Sequence, residues 1–261
     1  MAKIITLTNQ KGGVAKTTTS LNLASIAARS GKRTLLVDID SQASLTISMG
    51  YEPEDFDTNI STLFDNYIAS PSVKVSTAEC IYESDIPNLY FIPSIIDLAV
   101  KEMQLNGVTS KETVLRRVLR DVADDFDYIF IDTMPSLGNL TINALSAADY
   151  VLIPTEAEYL AYKAIRSLMK VVEDVRELIN PSLQIIGVLV TKYEENTNKS
   201  KEVMEALQEE YNVIGTINKS VEISKGILEG KPIVEMKKLR KPGTDIVDRY
   251  TKIFELIEEL S

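Results

Sequence analysis

Residues 4–20 read IITLTNQKGGVAKTTTS, and the fold follows from this stretch. The apolar run at 4–7 has the length of a buried strand. Gly12 and Gly13 sit in a loop with Lys11 and Lys16, and Thr17, Thr18 and Thr19 open a helix. Strand, glycine loop and helix start are the setting of a phosphate-binding loop. Glycines let backbone N–H groups close around phosphate oxygens, and the helix N-terminus adds a favourable dipole. In that setting Lys16 brings positive charge to the β- and γ-phosphates, and the Thr17 hydroxyl is a ligand for Mg²⁺. The strict pattern G-x-x-x-x-G-K-[ST] is not met, because Gln10 stands at the first glycine position and Ala15 at the last. A positive φ at Ala15 would cost about 1–2 kcal/mol for its Cβ. The expectation is a lower nucleotide affinity than a glycine would give.

Working outward, strands and helices alternate. Residues 16–30 read as a helix stopped by Gly31, and 33–40 (RTLLVDID) as an apolar strand ending in Asp38 and Asp40. Residues 41–50 read as a polar turn and a short helix, 51–87 as less regular, 89–92 as a strand and 113–124 as a helix. Residues 127–132 (DYIFID) form a second apolar strand ending in Asp132. Helices at 139–147, 159–179 and 201–210 alternate with strands at 150–154, 183–190 and 213–217, and apolar residues from Ile246 to Leu260 recur at helical spacing. The expected fold is α/β: three layers, α/β/α, with a mostly parallel, doubly wound central sheet, in one domain spanning 1–261. Ligands of such sheets sit beyond the carboxyl ends of the strands. That brings Asp132, Asp38 and Asp40 to the phosphate loop, where Asp132 can hold Mg²⁺ directly or through water.

Composition removes several alternatives. The chain has no histidine, which excludes Ser–His–Asp and Cys–His catalysis and His-ligated metals. Cys80 is the single cysteine, so one chain builds neither a disulfide nor a Cys-pair metal or iron–sulfur site, and a reducing cytoplasm suits it. With no basic-then-apolar leader and no run of membrane-spanning length, a soluble cytoplasmic protein is expected. Net charge is −10, yet residues 211–252 carry nine Lys or Arg against five Asp or Glu, a local balance of +4. Lys237, Lys238, Arg240 and Lys241 lie close together in that segment.

Lys11-Gly12-Gly13-Val14-Ala15-Lys16-Thr17-Thr18 resembles the deviant phosphate loop (deviant Walker A) K-G-G-V-G-K-T-T of the ParA/Soj/MinD ATPases. Four further stretches match in order. VDIDSQASLT (37–46) resembles switch I, V-D-x-D-P-Q-x-x-x-T, with Ser41 for proline, and FDYIFIDTMPSLGNLTINAL (126–145) resembles switch II, with Met134 for a proline. YVLIPTEAEY (150–159) and GKPI (230–233) complete the set. The resemblance implies a slow, Mg²⁺-dependent ATPase with ATP and ADP as alternating ligands. Residues 11–18 cradle the nucleotide, and Thr17, Asp40 and Asp132 serve the metal. In the family the first lysine reaches the partner subunit's nucleotide, so Lys11 implies an ATP-dependent homodimer. Asp40 matches the aspartate that orients the attacking water, making Lys11, Lys16 and Asp40 the catalytic set. Asn218 replaces a proline near the expected adenine site.

The surface decides among branches. The end KIFELIEELS carries Glu255, Glu258 and Glu259, which anionic lipid would repel, so its apolar stripe is read as docking on the core and no membrane partner is expected. ParA/Soj members bind non-specific DNA in the ATP state. Here Asn196 stands where an arginine is frequent, and Lys219 keeps a positive charge in INKSVEIS (217–224). DNA binding then rests on Lys219, Lys225, Lys237, Lys238, Arg240 and Lys241 and is strongly salt-dependent. The leading reading is a DNA-partitioning ATPase, nucleoid-associated when ATP-bound, with a ParB-type centromere-binding partner. A positioning ATPase for a protein cargo, and a binding module that has lost hydrolysis through Ala15, are the alternatives.

Overall fold

The computed structural model describes residues 1–69, 72–195, 197–237 and 239–260, so the expectations for Asn196 and Lys238 lie outside the described residues. The strands are β1 (Lys3–Leu7), β2 (Thr34–Ile39), β3 (Tyr82–Glu83), β4 (Leu89–Ile92), β5 (Tyr128–Thr133), β6 (Tyr150–Glu156), β7 (Gln184–Tyr193) and β8 (Val213–Asn218). The helices are α1 (Lys16–Arg29), α2 (Ser44–Ser48), α3 (Ile60–Ile68), α4 (Leu98–Gln104), α5 (Val114–Arg120), α6 (Asn139–Ala147), α7 (Tyr159–Leu178), α8 (Asn198–Glu210), α9 (Val221–Leu228) and α10 (Lys241–Glu259). One 8-stranded sheet has the order β3-β4-β2-β5-β1-β6-β7-β8. All pairs are parallel except the edge pair β3 and β4.

Alternation along the central strands feeds two faces. Leu36 and Phe130 join one core with Leu21, Ala24, Tyr250 and Phe254, under α1 and α10. Leu35, Val37, Ile129 and Ile131 join another with Phe64, Leu115 and Leu140, under α3, α5 and α6. A third cluster, including Val151, Ile165, Leu168 and Leu207, seats α7 and α8 on β6 and β7. Helices on both faces give the three layers expected of near-continuous apolar parallel strands.

α1 stops where expected. Gly31 takes φ 82°, and the N–H of Lys32 reaches back to the Ala27 carbonyl, closing the C-terminus with a left-handed residue. α10 buries Ile246, Tyr250, Ile253, Phe254 and Ile257, so its apolar stripe does dock on the core. No described helix is long and apolar enough to cross a membrane.

Several elements differ from the sequence reading, α4 and α9 among them, which it did not include. Residues 60–68, read as irregular, form α3, opened by a reciprocal cap in which Asn59 accepts from the N–H of Thr62 while the Thr62 hydroxyl accepts from the N–H of Asn59. The helix expected over 113–124 is regular only over Val114–Arg120. β7 runs three residues past its expected end at 190, to Tyr193, which carries Thr191 and Lys192 to the carboxyl edge of the sheet.

Candidate functional site

β1 lies between β5 and β6, so its loop emerges at the point where the chain's strand order reverses. Parallel sheets present ligand sites there. Asn9 anchors the loop entry, its amide donating to the Pro154 carbonyl at 2.8 Å while its Oδ1 accepts from the N–H of Lys11 at 2.9 Å. Gly13 has φ 78°, which favours glycine, and Ala15 sits at φ 59°, ψ 34°, left-handed in spite of its Cβ. α1 therefore opens without a side-chain cap, and its first N–H groups remain for a ligand.

The loop lines a cavity of about 690 Å³, together with Asp40, Thr133, Lys192, Asn218 and residues of α9 such as Ile223. Lys16 is 7% exposed and makes no ion pair among the described residues. Burial lowers its pKa, while the charges of Asp132 and Asp40 act in the opposite sense. Asp132 is fully enclosed and accepts from the Thr17 hydroxyl at 2.7 Å and the Ser20 hydroxyl at 2.9 Å. Burial pushes it up to about 6. Asp38 faces Asp132 across the β2–β5 register. Burial, then the charge of Asp132, pushes Asp38 up to about 8, against donation from the N–H and hydroxyl of Thr46 and the N–H of Asp40. Asp40 accepts from the N–H of Gln42 at 2.9 Å and the Ser44 hydroxyl at 3.4 Å.

This donor set fits Mg²⁺ and a nucleotide. The described residues contain no cluster of three acidic, Cys or His ligands that would cage a metal alone. One hydroxyl and one or two carboxylates, completed by phosphate oxygens and water, are the usual Mg²⁺ arrangement. A buried ammonium that makes no ion pair among the described residues and an uncapped helix start suit phosphates. Asn218 Oδ1 is enclosed without a hydrogen-bond partner among the described residues, and such an acceptor matches the amino group of adenine.

Gly13, Val14, Ala15, Lys16, Thr17, Thr18, Asp40, Asn218 and Lys219 line the cavity. Gly12 lies outside it, against Pro135. Lys11 is turned away, its ammonium bound to Glu156 at 2.9 Å and to Glu158 at 2.7 Å. Burial works against its charge, yet the hydrogen bonds to Glu158 and Glu156 raise its pKa. Glu156 also meets Lys192 at 3.0 Å. Burial opposes its charge as well, but the two lysines hold its carboxyl below the usual range.

The basic residues are dispersed and partly neutralised. Lys219 pairs with Glu194 at 2.9 Å and Lys225 with Glu222 at 3.7 Å. Lys237 lines a second cavity of about 650 Å³ beside Tyr51 and Gly230. Arg240 and Lys241 are exposed at the start of α10. Sequence reasoning missed Ser20, Glu156, Glu158, Thr191 and Lys192. The strand-end rule that found Asp132 would have found the last two, had β7 been taken to its full length.

Residues 2–185 match the family described as AAA domain. The chain is 42% identical over 238 residues to the sporulation initiation inhibitor protein Soj of Bacillus subtilis (strain 168), covering 90% of this chain and 91% of that protein. Among solved structures, a putative plasmid partition protein from Borrelia burgdorferi B31 bound to AMPPNP aligns with TM-score 0.80 and 28% identity, covering 99% of both chains. Cobyrinic acid a,c-diamide synthase from Mycobacterium smegmatis, with bound ATP analog and magnesium, aligns with TM-score 0.83 and 28% identity, covering 99% of this chain and 95% of the other.

Proposed function

The chain belongs to the ParA/Soj family of phosphate-loop ATPases, and from that premise we propose that it segregates DNA as an ATP-dependent dimer. ATP and ADP with Mg²⁺ are its ligands, in keeping with the nucleotide and magnesium held by its structural relatives. The observation that carries the dimer reading is the position of Lys11. It lies outside the cavity that its own loop lines, on two carboxylates of its own subunit.

Mechanistically, the loop N–H groups and Lys16 receive the phosphates and offset the charge that develops during transfer. Thr17 and Asp132 would hold Mg²⁺, which would supply positive charge against the negative charge of the phosphates. Their mutual hydrogen bond at 2.7 Å fixes the two side chains side by side. Asp40, fixed by the N–H of Gln42, orients the attacking water. Asn218 meets the base. Lys11 exchanges Glu156 and Glu158 for the partner subunit's phosphates, so hydrolysis waits on dimerisation and runs slowly. In the ATP dimer, Lys219, Lys225, Lys237, Lys238, Arg240 and Lys241 meet non-specific DNA, and a ParB-type centromere-binding partner stimulates hydrolysis and release.

A second reading, a positioning ATPase for a protein cargo, is favoured by the net charge of −10 and by the pairing of Lys219 and Lys225 with acids. Binding to non-specific duplex DNA with ATP and with ADP, across a salt series, separates the two. Salt-sensitive binding only with ATP, lost in Lys16→Ala and in a variant without the charges of Lys237, Lys238, Arg240 and Lys241, supports DNA segregation. ATP-driven dimerisation without DNA binding replaces it with the protein-cargo reading.

A further inference from the structure

Two consecutive residues at the end of β7 grip two consecutive carbonyls of the phosphate loop. The Thr191 hydroxyl lies 3.0 Å from the Val14 carbonyl and 3.0 Å from the Thr155 carbonyl, sharing its one proton between them, and the Lys192 ammonium donates to the Gly13 carbonyl at 2.6 Å. In a planar trans peptide the C=O and the following N–H point in opposite directions. Pinning the Gly13 carbonyl therefore turns the Val14 N–H away from Lys192, and pinning the Val14 carbonyl turns the Ala15 N–H away from Thr191. Ala15 is left-handed and leads directly into the right-handed α1. Successive N–H groups in such a reversal converge into an anion-binding concavity. The grip lies on the carbonyl side of this concavity and leaves its N–H groups free.

Lys192 is itself at φ 49°, a conformation that L side chains rarely adopt. Residues held there persist only where their surroundings over-determine them, and they cluster at functional sites. Lys192 lies where the register of β7 against β8 shifts between Val190 and Tyr193, a bulge that accommodates its φ, and its side chain is fixed at one end by the Gly13 carbonyl and by Glu156 at 3.0 Å. Glu156 is only 17% exposed and also binds Lys11. Lys192 thus keeps this carboxylate paired when Lys11 is elsewhere.

We propose that Lys192 is a positioning residue for nucleotide binding, which presets the phosphate-receiving N–H groups by holding the Gly13 carbonyl outward. The proposal rests on the phosphate-loop reading above but not on DNA binding or dimerisation. Its test is accordingly the binding of Mg-ADP to the full chain, by calorimetry. Lys192→Met keeps the apolar stem and removes the charge, Lys192→Arg restores a donor, and Lys192→Gly relaxes the backbone while removing the grip.

The expected result is an about tenfold weaker Mg-ADP complex in Lys192→Met, the lower end for a hydrogen bond to a charged donor because the lysine is half exposed. KM for ATP rises by a similar factor with kcat little changed. Lys192→Arg recovers most of the affinity. Lys192→Gly loses as much as the methionine variant even though its backbone is relieved. Wild-type Mg-ADP affinity in Lys192→Met overturns the proposal. So does an affinity loss that Arg does not recover and that tracks a matching fall in the urea midpoint, since that is a structural role alone. Wild-type protein that binds no Mg-ADP would remove the nucleotide reading itself, and the role of Lys192 with it.

Discussion

Replacing Ala15 by glycine should stabilise the protein without tightening its grip on nucleotide. Ala15 holds φ 59°, ψ 34°, where a Cβ costs about 1–2 kcal/mol. Glycine removes that cost but loses more backbone entropy on folding, about 0.5–1 kcal/mol relative to alanine. At the middle of both ranges the difference leaves a net gain of about 0.75 kcal/mol. With a urea m-value of about 3 kcal/mol/M, the upper part of the usual range, the midpoint should rise by about 0.2–0.3 M at unchanged slope. The left-handed turn is present in the chain without nucleotide, so the strain falls on folding rather than on binding. ADP affinity should therefore stay within about threefold, a shift below 1 kcal/mol, in contrast to the weakening expected from the loop sequence alone.

Urea titration of the nucleotide-free protein and calorimetric titration with Mg-ADP read the two quantities separately. Ala43, at φ 51°, supplies a control of the same sign. Ala27→Gly, in the fully buried interior of α1, should instead lose about 1 kcal/mol or more. A lower urea midpoint in Ala15→Gly would refute the strain argument. A tenfold tighter ADP complex would mean that the loop adopts its turn only when nucleotide arrives.

Other outcomes follow from the same geometry. Asp38 is raised to about 8 and Asp132 to about 6, so between pH 4 and pH 8 the folded state binds more protons than the unfolded one. Stability without nucleotide should therefore fall as pH rises through that window, and denaturant midpoints at pH 5 and pH 8 measure it; a rising midpoint would contradict the burial of the pair. Phe254, 2% exposed on α10, should cost about 3–5 kcal/mol when replaced by alanine, read as a lower thermal midpoint. Replacing Glu156 and Glu158 together by glutamine frees Lys11. ATP-driven self-association should then occur at several-fold lower protein concentration, since a partly exposed ion pair is worth about 0.2–1 kcal/mol. Unchanged association would show that the cis pairs do not restrain Lys11.

The sheet and the phosphate loop were readable because they are local. An apolar strand, Gly12-Gly13 and a threonine-opened helix are consecutive, and acids such as Asp132 close apolar runs. α9 was not readable. Its sequence VEISKGIL carries β-branched residues and Gly226, all weak helix formers. The Ser220 cap and tertiary packing hold it, and a Cβ on Gly226 would lie 2.6 Å from the Lys231 carbonyl, so glycine is required there. The pairing of Lys11 with Glu156 joins residues 145 apart, and it exists only because β1 and β6 are neighbours. Lys192 was lost for a smaller reason. β7 continues through Thr191-Lys192-Tyr193 after its apolar run has ended, which hydropathy alone does not reveal.

The most direct test of Lys11 as a group that serves the partner subunit is sedimentation of Asp40→Ala, which should retain ATP if Asp40 orients the attacking water, with Mg-ATP and with Mg-ADP, beside the same variant also carrying Lys11→Ala. The expected result is twice the monomer mass with Mg-ATP, monomer with Mg-ADP, and monomer with either nucleotide once Lys11 is gone, while Mg-ADP affinity is unchanged. A dimer that forms equally well without Lys11, or a monomer under every condition, would contradict it.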